Sequence, residues 1–197
     1  MKRGNKRDEL IRVGRDIIVQ QGFKSASLND ILTTAGIPKG SFYYYFSSKE
    51  DFGLAIVEDF ADEYRDRLEA TLEDERYSPL TRLRNYFESK ISEMEACGCT
   101  DGCLIGNLAQ ELSAQNEIFR DRLNSIFAEW ERYFERCLTA AYEADEISSD
   151  RHAVLAEFIL SSWEGAILQA KVTKSVEPMQ TFVEILFARI LRKYDSG

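Results

Sequence analysis

The chain predicts an all-α fold of about nine helices. Only three of its 197 residues are proline, and apolar residues recur at the helical period over long stretches. No Asn-Gly or Asp-Gly pair sits between alternating apolar residues, where a β-hairpin would need one. A hydrophobic share of 44% can bury a core in one domain, or in a small domain joined to a larger one. The expected organisation is a three-helix N-terminal head over residues 1–50 and a helical body over 51–197.

Lys2, Arg3, Lys6 and Arg7 open the chain without an apolar pattern and read as a basic arm. Leu10, Val13, Ile17 and Ile18 then make an amphipathic helix that stops at Gly22, and Phe23 turns the chain back to the core. Leu28, Ile31, Leu32 and Ala35 form a second helix. Ser27 stands where a side chain caps the first amides, and Gly36 supplies the left-handed residue that ends the helix. Pro38 suits the first turn of a third helix, because the first N–H groups of a helix have no internal partner. Phe42 and Phe46, four residues apart, give that helix one buried edge. The pair of helices around Gly36 is a helix-turn-helix pattern.

Ser47-Ser48 followed by Lys49-Glu50-Asp51 predicts the start of a long helix through Phe52, Ala55, Ile56, Phe60, Tyr64 and Leu68. Ser78-Pro79 opens the next, with Leu80, Leu83, Phe87, Ile91 and Met94 on one stripe, ending at the turn 97–102. Residues 103–112 are a short, nearly apolar helix. A long amphipathic one follows, through Phe119, Leu123, Ile126, Phe127, Trp130, Phe134 and Leu138. The last two helices, 152–170 and 178–194, are apolar over more of their circumference than one neighbour needs, so they are expected to pack also against a second copy. Ser161, Ser162, Gly165, Ala166 and Ala170 permit a close approach there.

The net charge of −9 divides unevenly. Residues 1–50 hold nine Lys and Arg against five Asp and Glu, a balance of +4, which leaves −13 on the remainder. A cationic head on an acidic body suits a polyanionic partner that must be met by one end only. The third helix carries the matching chemistry on the edge away from its phenylalanines. Lys39, Gly40, Ser41, Tyr43 and Tyr44 offer a cation, bare backbone, a hydroxyl and two phenols near a helix N-terminus, groups that fit phosphates and base edges. The same residues also fit a small helical corner whose tyrosines are half-buried core.

No apolar run approaches a membrane span, and the first residues lack the apolar stretch of a signal peptide, so a cytoplasmic protein is expected. There is no Ser-His-Asp ordering, glycine-rich phosphate loop or His-Glu-x-x-His. With one histidine in the chain, imidazole acid–base chemistry is not expected, and neither an enzyme nor a cofactor is predicted.

The run Gly36-Ile-Pro-Lys-Gly-Ser-Phe-Tyr-Tyr-Tyr-Phe-Ser-Ser-Lys-Glu50 resembles the DNA-binding signature of TetR-family transcriptional regulators. The resemblance implies that Lys39, Gly40, Ser41 and Tyr43 face bases or their flanking phosphates. It further implies that Ser27, Tyr45 and Lys49 hold the DNA backbone and that Asn29 reaches a base edge. Pro38 replaces a Ser or Thr frequent in the family and removes one phosphate-binding hydroxyl. The family implies a homodimer joined through residues 152–194, a palindromic double-stranded operator and a small-molecule effector.

Four cysteines in a chain expected to be cytosolic are not a disulfide framework. Cys97-x-Cys99-x3-Cys103 is a weak match to a thiolate metal site, with His152 far away in sequence, and no metal is predicted. Buried thiols without a role are one reading. In another, Asp101-Gly102 caps the helix that begins near Cys103 and places this thiol in the first turn, where the helix dipole favours thiolate. Asp-Gly-Cys-Leu at 101–104, Leu-Gln-Ala-Lys at 168–171 and Ser-Val-Glu-Pro at 175–178 resemble the electrophile- and quinone-sensing branch of the family that regulates N-ethylmaleimide reductase. That resemblance implies Cys103 as sensor with Lys171 nearby, and Cys97, Cys99 and Cys137 as secondary or resolving thiols. Trp130, Tyr133, Phe158 and Trp163 would either line an apolar effector pocket or be core.

The expectation is a DNA-binding repressor released by a small-molecule or thiol-reactive effector. A helical protein-interaction module, or a regulator answering a reversible apolar ligand, are the alternatives.

Overall fold

The computed structural model describes residues 6–193. They form α1 (Lys6–Gln21), α2 (Leu28–Ala35), α3 (Lys39–Tyr45), α4 (Lys49–Leu72), α5 (Pro79–Ala96), α6 (Leu104–Leu112), α7 (Glu117–Glu143), α8 (His152–Thr173) and α9 (Glu177–Ile185), the last continued by a π-helical turn over Leu186–Ile190. The all-α expectation holds across the described residues. Two compact units result, one of residues through Glu63 with Leu104–Leu123, the other of Tyr64–Cys103 with residues from Asn124 on.

In the first unit α1, α2 and α3 close on a core of Leu10, Ile11, Ile18, Ile31, Leu32, Phe42 and Phe46 with Phe52 of α4. Phe42 meets Phe46 and Phe52 with ring centroids 5.5 Å away in each case, and Phe46 lies 4.9 Å from Phe52. These rings bind the back of α3 to the start of α4. Gly14 lets α4 come close: a Cβ there would stand 2.3 Å from the Phe52 ring. Gly36 ends α2 at φ 64°, its N–H and that of Ile37 donating to the carbonyls of Thr33 and Leu32.

Several local expectations need correction. Lys2 and Arg3 lie outside the described residues, but Lys6 and Arg7 already belong to α1 rather than to an arm. Asp8 and Glu9 give that first turn acids that favour the helix N-terminus, and the Arg7 guanidinium lies 5.3 Å over the Phe46 ring, so α1 starts one turn early. Ser27 occupies the N-cap position of α2, yet its hydroxyl makes no capping bond. Pro38 precedes α3 as its N-cap residue instead of entering the first turn. The cap of α4 forms: Ser48 Oγ accepts from Asp51 N at 3.0 Å, while the Asp51 carboxylate accepts from Ser47 N at 2.8 Å. The final helix does not run unbroken to 194. The π turn carries a bond from Leu191 N to Leu186 O of 2.8 Å, and this wider winding brings two leucines five residues apart to the buried side.

In the second unit the remainder of α4 and α7 packs with α5, α8 and α9. Tyr64 stacks on Trp130 at 4.2 Å, and Trp163 meets Phe87 at 4.7 Å and Phe182 at 5.5 Å. No helix among the described residues is long and apolar enough to cross a membrane.

Candidate DNA interface and thiol site

The turn at Gly36 leaves one edge of α3 in solvent. Lys39 and Gly40 are exposed, Ser41 is half-buried, and Tyr43 and Tyr44 are 59% and 84% exposed. Two phenols so displayed, with Phe42 fully buried between elements behind them, are not core, and the reading of a corner with half-buried tyrosines does not describe them. The first turn of α3 carries Lys39 and no acid, so the local field favours an anion. Asn29 of α2 is exposed, while Ser27 and Tyr45 are half-buried. Asn29 lines a shallow surface hollow together with Gly36, Pro38 and Lys39.

Lys49 is engaged within the head. Its Nζ donates to the Lys24 carbonyl at 3.2 Å and sits 4.9 Å over the Phe23 ring. Burial lowers its pKa, and the nearby Glu111 carboxylate opposes that shift. Glu111 itself, on α6, accepts from the backbone N–H groups of Phe23 at 2.8 Å and Lys24 at 2.7 Å. This clasp fastens α6 to the turn after α1, and no spacing in the sequence announces it. Glu111→Ala is expected to remove two charge-assisted bonds and lower stability by about 1–3 kcal/mol, measured by urea denaturation. Glu111→Gln should lose less.

The thiols differ in surroundings, and all four are unbridged. Cys97 is half-buried and donates to the Met94 carbonyl at 3.2 Å. Cys137 donates to the Pro79 carbonyl at 3.3 Å, and burial pushes its pKa up to about 12, which suppresses thiolate. Cys99 is buried at the end of the turn after α5. Cys103 is buried too and stands one residue before α6, so it flanks the helix and is not in its first turn. Gly102 before it adopts φ +71°, and a Cβ there would lie 2.7 Å from Lys171 Cδ and 3.4 Å from its Nζ. The stem of Lys171 therefore covers the backbone beside Cys103.

Behind that turn lies a polar cluster that sequence reasoning missed. The Cys103 thiol hydrogen-bonds the carboxylate of Glu164 on α8. Burial raises the pKa of Glu164 to about 7, against the opposing pull of that hydrogen bond. The hydroxyls of Tyr64 and Tyr86 bond to one another, and both phenols, raised chiefly by burial, also feel Cys103 and Glu164. One signal was available: Glu164 is an acid inside an otherwise apolar stretch beside Trp163.

The aromatic residues proposed for an effector pocket divide between core and surface. Trp130 and Trp163 are core, Tyr133 donates from its hydroxyl to Glu69 at 2.6 Å, and Phe158 is 44% exposed. Phe158 lines an open groove with Ser162, Gly165, Pro178, Phe182 and Ile185 on α8 and α9. Among the described residues no group of three or more His, Cys, Asp or Glu is arranged to hold a metal.

Comparison with known proteins gives this arrangement its setting. Residues 10–56 match the family described as bacterial regulatory proteins, tetR family, and residues 79–186 match the tetracyclin repressor-like C-terminal domain. The transcriptional repressor DhaR of Mycobacterium sp. strain GP1 is 35% identical over 192 residues, spanning 97% of this chain and 95% of its own. A crystal structure of a TetR regulatory protein from Rhodobacter sphaeroides superposes with a TM-score of 0.85 at 36% identity, covering 90% of this chain and 94% of that one. The reduced form of Escherichia coli NemR superposes at 0.87 with 29% identity, covering 93% and 95%. Both ends of the chain match the same group, and these two solved structures share its fold. The chain belongs to the TetR family and is a DNA-binding transcriptional regulator.

Proposed function

We propose that the protein is a homodimeric repressor that leaves its operator when Cys103 is modified by an electrophile or an oxidant. Residues 1–50 act as the DNA-binding head and 51–197 as the effector-binding and dimerisation body, working in the cytoplasm where the DNA is. Lys39, Gly40, Ser41, Tyr43 and Tyr44 enter the major groove, Asn29 reaches a base edge, and Ser27 and Tyr45 hold phosphates. Lys49 serves mainly by fixing the Lys24 turn. Two heads then read half-sites about 34–36 Å apart, or a multiple of that. Dimerisation through α8 and α9 is supported by the exposure of Val154, Phe158, Leu168, Val172 and Ile185 on those helices.

The observation that carries the sensor reading is the setting of Cys103. It is buried in a turn covered by Lys171, hydrogen-bonded to a carboxylate, and placed directly before α6, whose Glu111 clasps the head. An adduct on this buried sulfur must displace part of what surrounds it. Cys97, Cys99 and Cys137 act as secondary thiols. Coupling requires only that the modified state hold DNA more weakly.

The test is fluorescence anisotropy on the protein's own upstream DNA, with and without N-ethylmaleimide. Wild type is expected to lose affinity by roughly 5- to 150-fold on modification, the usual range of allosteric coupling. Cys103→Ser should bind equally well before treatment and stay bound after it. Release of the variant as readily as wild type would discard the sensor, and a reversible apolar ligand would then be sought by displacement.

A further inference from the structure

We propose that Glu164 is the proton acceptor for Cys103, and that its charge makes this thiol favour neutral electrophiles over anionic ones. The inference rests on the reading of Cys103 as the sensor and names the chemistry of that site.

A half-buried carboxyl group beside buried Trp163 is partly desolvated, a cost that an apolar residue of similar size would avoid. Glu164 is nonetheless held there, on a helix whose neighbouring residues include buried Trp163 and Ala166, and its partner is a thiol. The two phenols whose titration both groups affect are held among rings: Trp130 stacks on Tyr64, and Phe87 and Phe134 meet Tyr86 edge-on at 5.1 and 5.4 Å. The groups that titrate around Glu164 come from three directions. Cys103 approaches from the turn before α6, Tyr64 from α4 and Tyr86 from α5, with Glu93 acting on Tyr86 from the same helix. Lys171 lies farther along α8 over Gly102. Both phenols stay protonated at neutral pH, since burial raises them. Glu164 is hydrogen-bonded to the thiol and poised near neutrality, as a general base must be.

The step balances without an oxidant. The S–H proton passes to a Glu164 oxygen as sulfur bonds to the β-carbon of an α,β-unsaturated carbonyl reagent. The C=C π pair moves onto the carbonyl oxygen, giving an enolate. Glu164 then returns the proton to the α-carbon. The net change is addition of S–H across C=C, and Glu164 ends as the carboxylate it began. An electrophile that is itself an anion would meet the charge of that half-buried carboxylate, which selects for neutral reagents.

The experiment follows N-ethylmaleimide addition to each cysteine of the full-length protein by fragment-resolved mass spectrometry, in wild type and Glu164→Gln, between pH 5.5 and 9. Operator binding without reagent checks that the variant is folded. In wild type, Cys103 should react with a rate that rises through an inflection near 7, where Glu164 ionises. In Glu164→Gln the rate at neutral pH should fall roughly 100-fold, the inflection should vanish, and reaction should climb only at the alkaline end of the range, as the thiol itself ionises. Iodoacetamide should outpace iodoacetate at Cys103 by more than it does at glutathione. Equal Cys103 rates in wild type and Glu164→Gln would overturn the assignment of the base while leaving the sensor reading intact. Equal normalised rates for the two iodo reagents would overturn the preference for neutral electrophiles. Wild-type Cys103 that takes no label while Cys97 does would overturn the sensor reading and this inference together.

Discussion

Replacing Phe42 with alanine is expected to cost the protein about 3–5 kcal/mol, the range for emptying a fully buried aromatic site, and to abolish operator binding. Phe42 is 0% exposed and lies within 5.5 Å of the rings of Phe46 and Phe52. Its loss opens a cavity between α3 and α4 that Gly14 does nothing to fill, since α1 already touches the far side of Phe52 there. Helix α3 is too short to hold itself together in water, so its shape depends on this one buried edge. Phe42→Leu keeps most of the volume and should cost much less. Thermal denaturation reads the stability, and anisotropy on upstream DNA reads the function. A loss of under about 1 kcal/mol with intact binding would mean that α3 is held by something other than the aromatic cluster.

Removing the solvent side of the same helix should do the opposite: leave the fold intact and weaken DNA binding. Tyr43→Ala is expected to cost about 1–3 kcal/mol of operator affinity, roughly 5- to 150-fold, with little change in melting temperature. Lys39→Ala should weaken operator and mixed-sequence DNA alike and reduce the slope of log affinity against log salt by about one. Exposure is what separates Tyr43 and Lys39 from Phe42, one and three residues away. Unchanged affinity in both variants would remove α3 from the DNA interface.

The contrast between those two sides of α3 was legible in the sequence, because a helix writes its buried face as a repeat and the turn at Gly36 has few chemical solutions. The long helices α4, α5, α7 and α8 were legible for the same reason. Their ends were less so. Lys6 and Arg7 look like an unstructured arm until Phe46, distant in the chain, supplies a ring for Arg7. Ser27 has the right residue type for a cap but not the bond. The π turn at Leu186–Ile190 reflects which leucines the body buries, a tertiary fact.

The thiol site divides in a similar way. Cys103 stood out by an expected place in the first turn of an apolar helix, which the structure moves to the residue just before it, and resemblance alone linked it to Lys171, since spacing cannot relate side chains on separate elements. The structure lays that lysine over Gly102. Tyr64 and Tyr86 read as ordinary members of helical stripes, and nothing local distinguishes a buried tyrosine that merely packs from one whose hydroxyl meets a carboxylate's field. Glu111 was hidden for another reason: its partners are backbone N–H groups, which every residue has.

The most direct measurement is operator binding by a protein whose only cysteine is Cys103, with Cys97, Cys99 and Cys137 changed to serine, before and after stoichiometric N-ethylmaleimide. The account predicts that this single thiol suffices: one adduct per chain, found on Cys103, and loss of DNA in proportion to its formation. A protein fully alkylated at Cys103 that still holds its operator with unchanged affinity would contradict it.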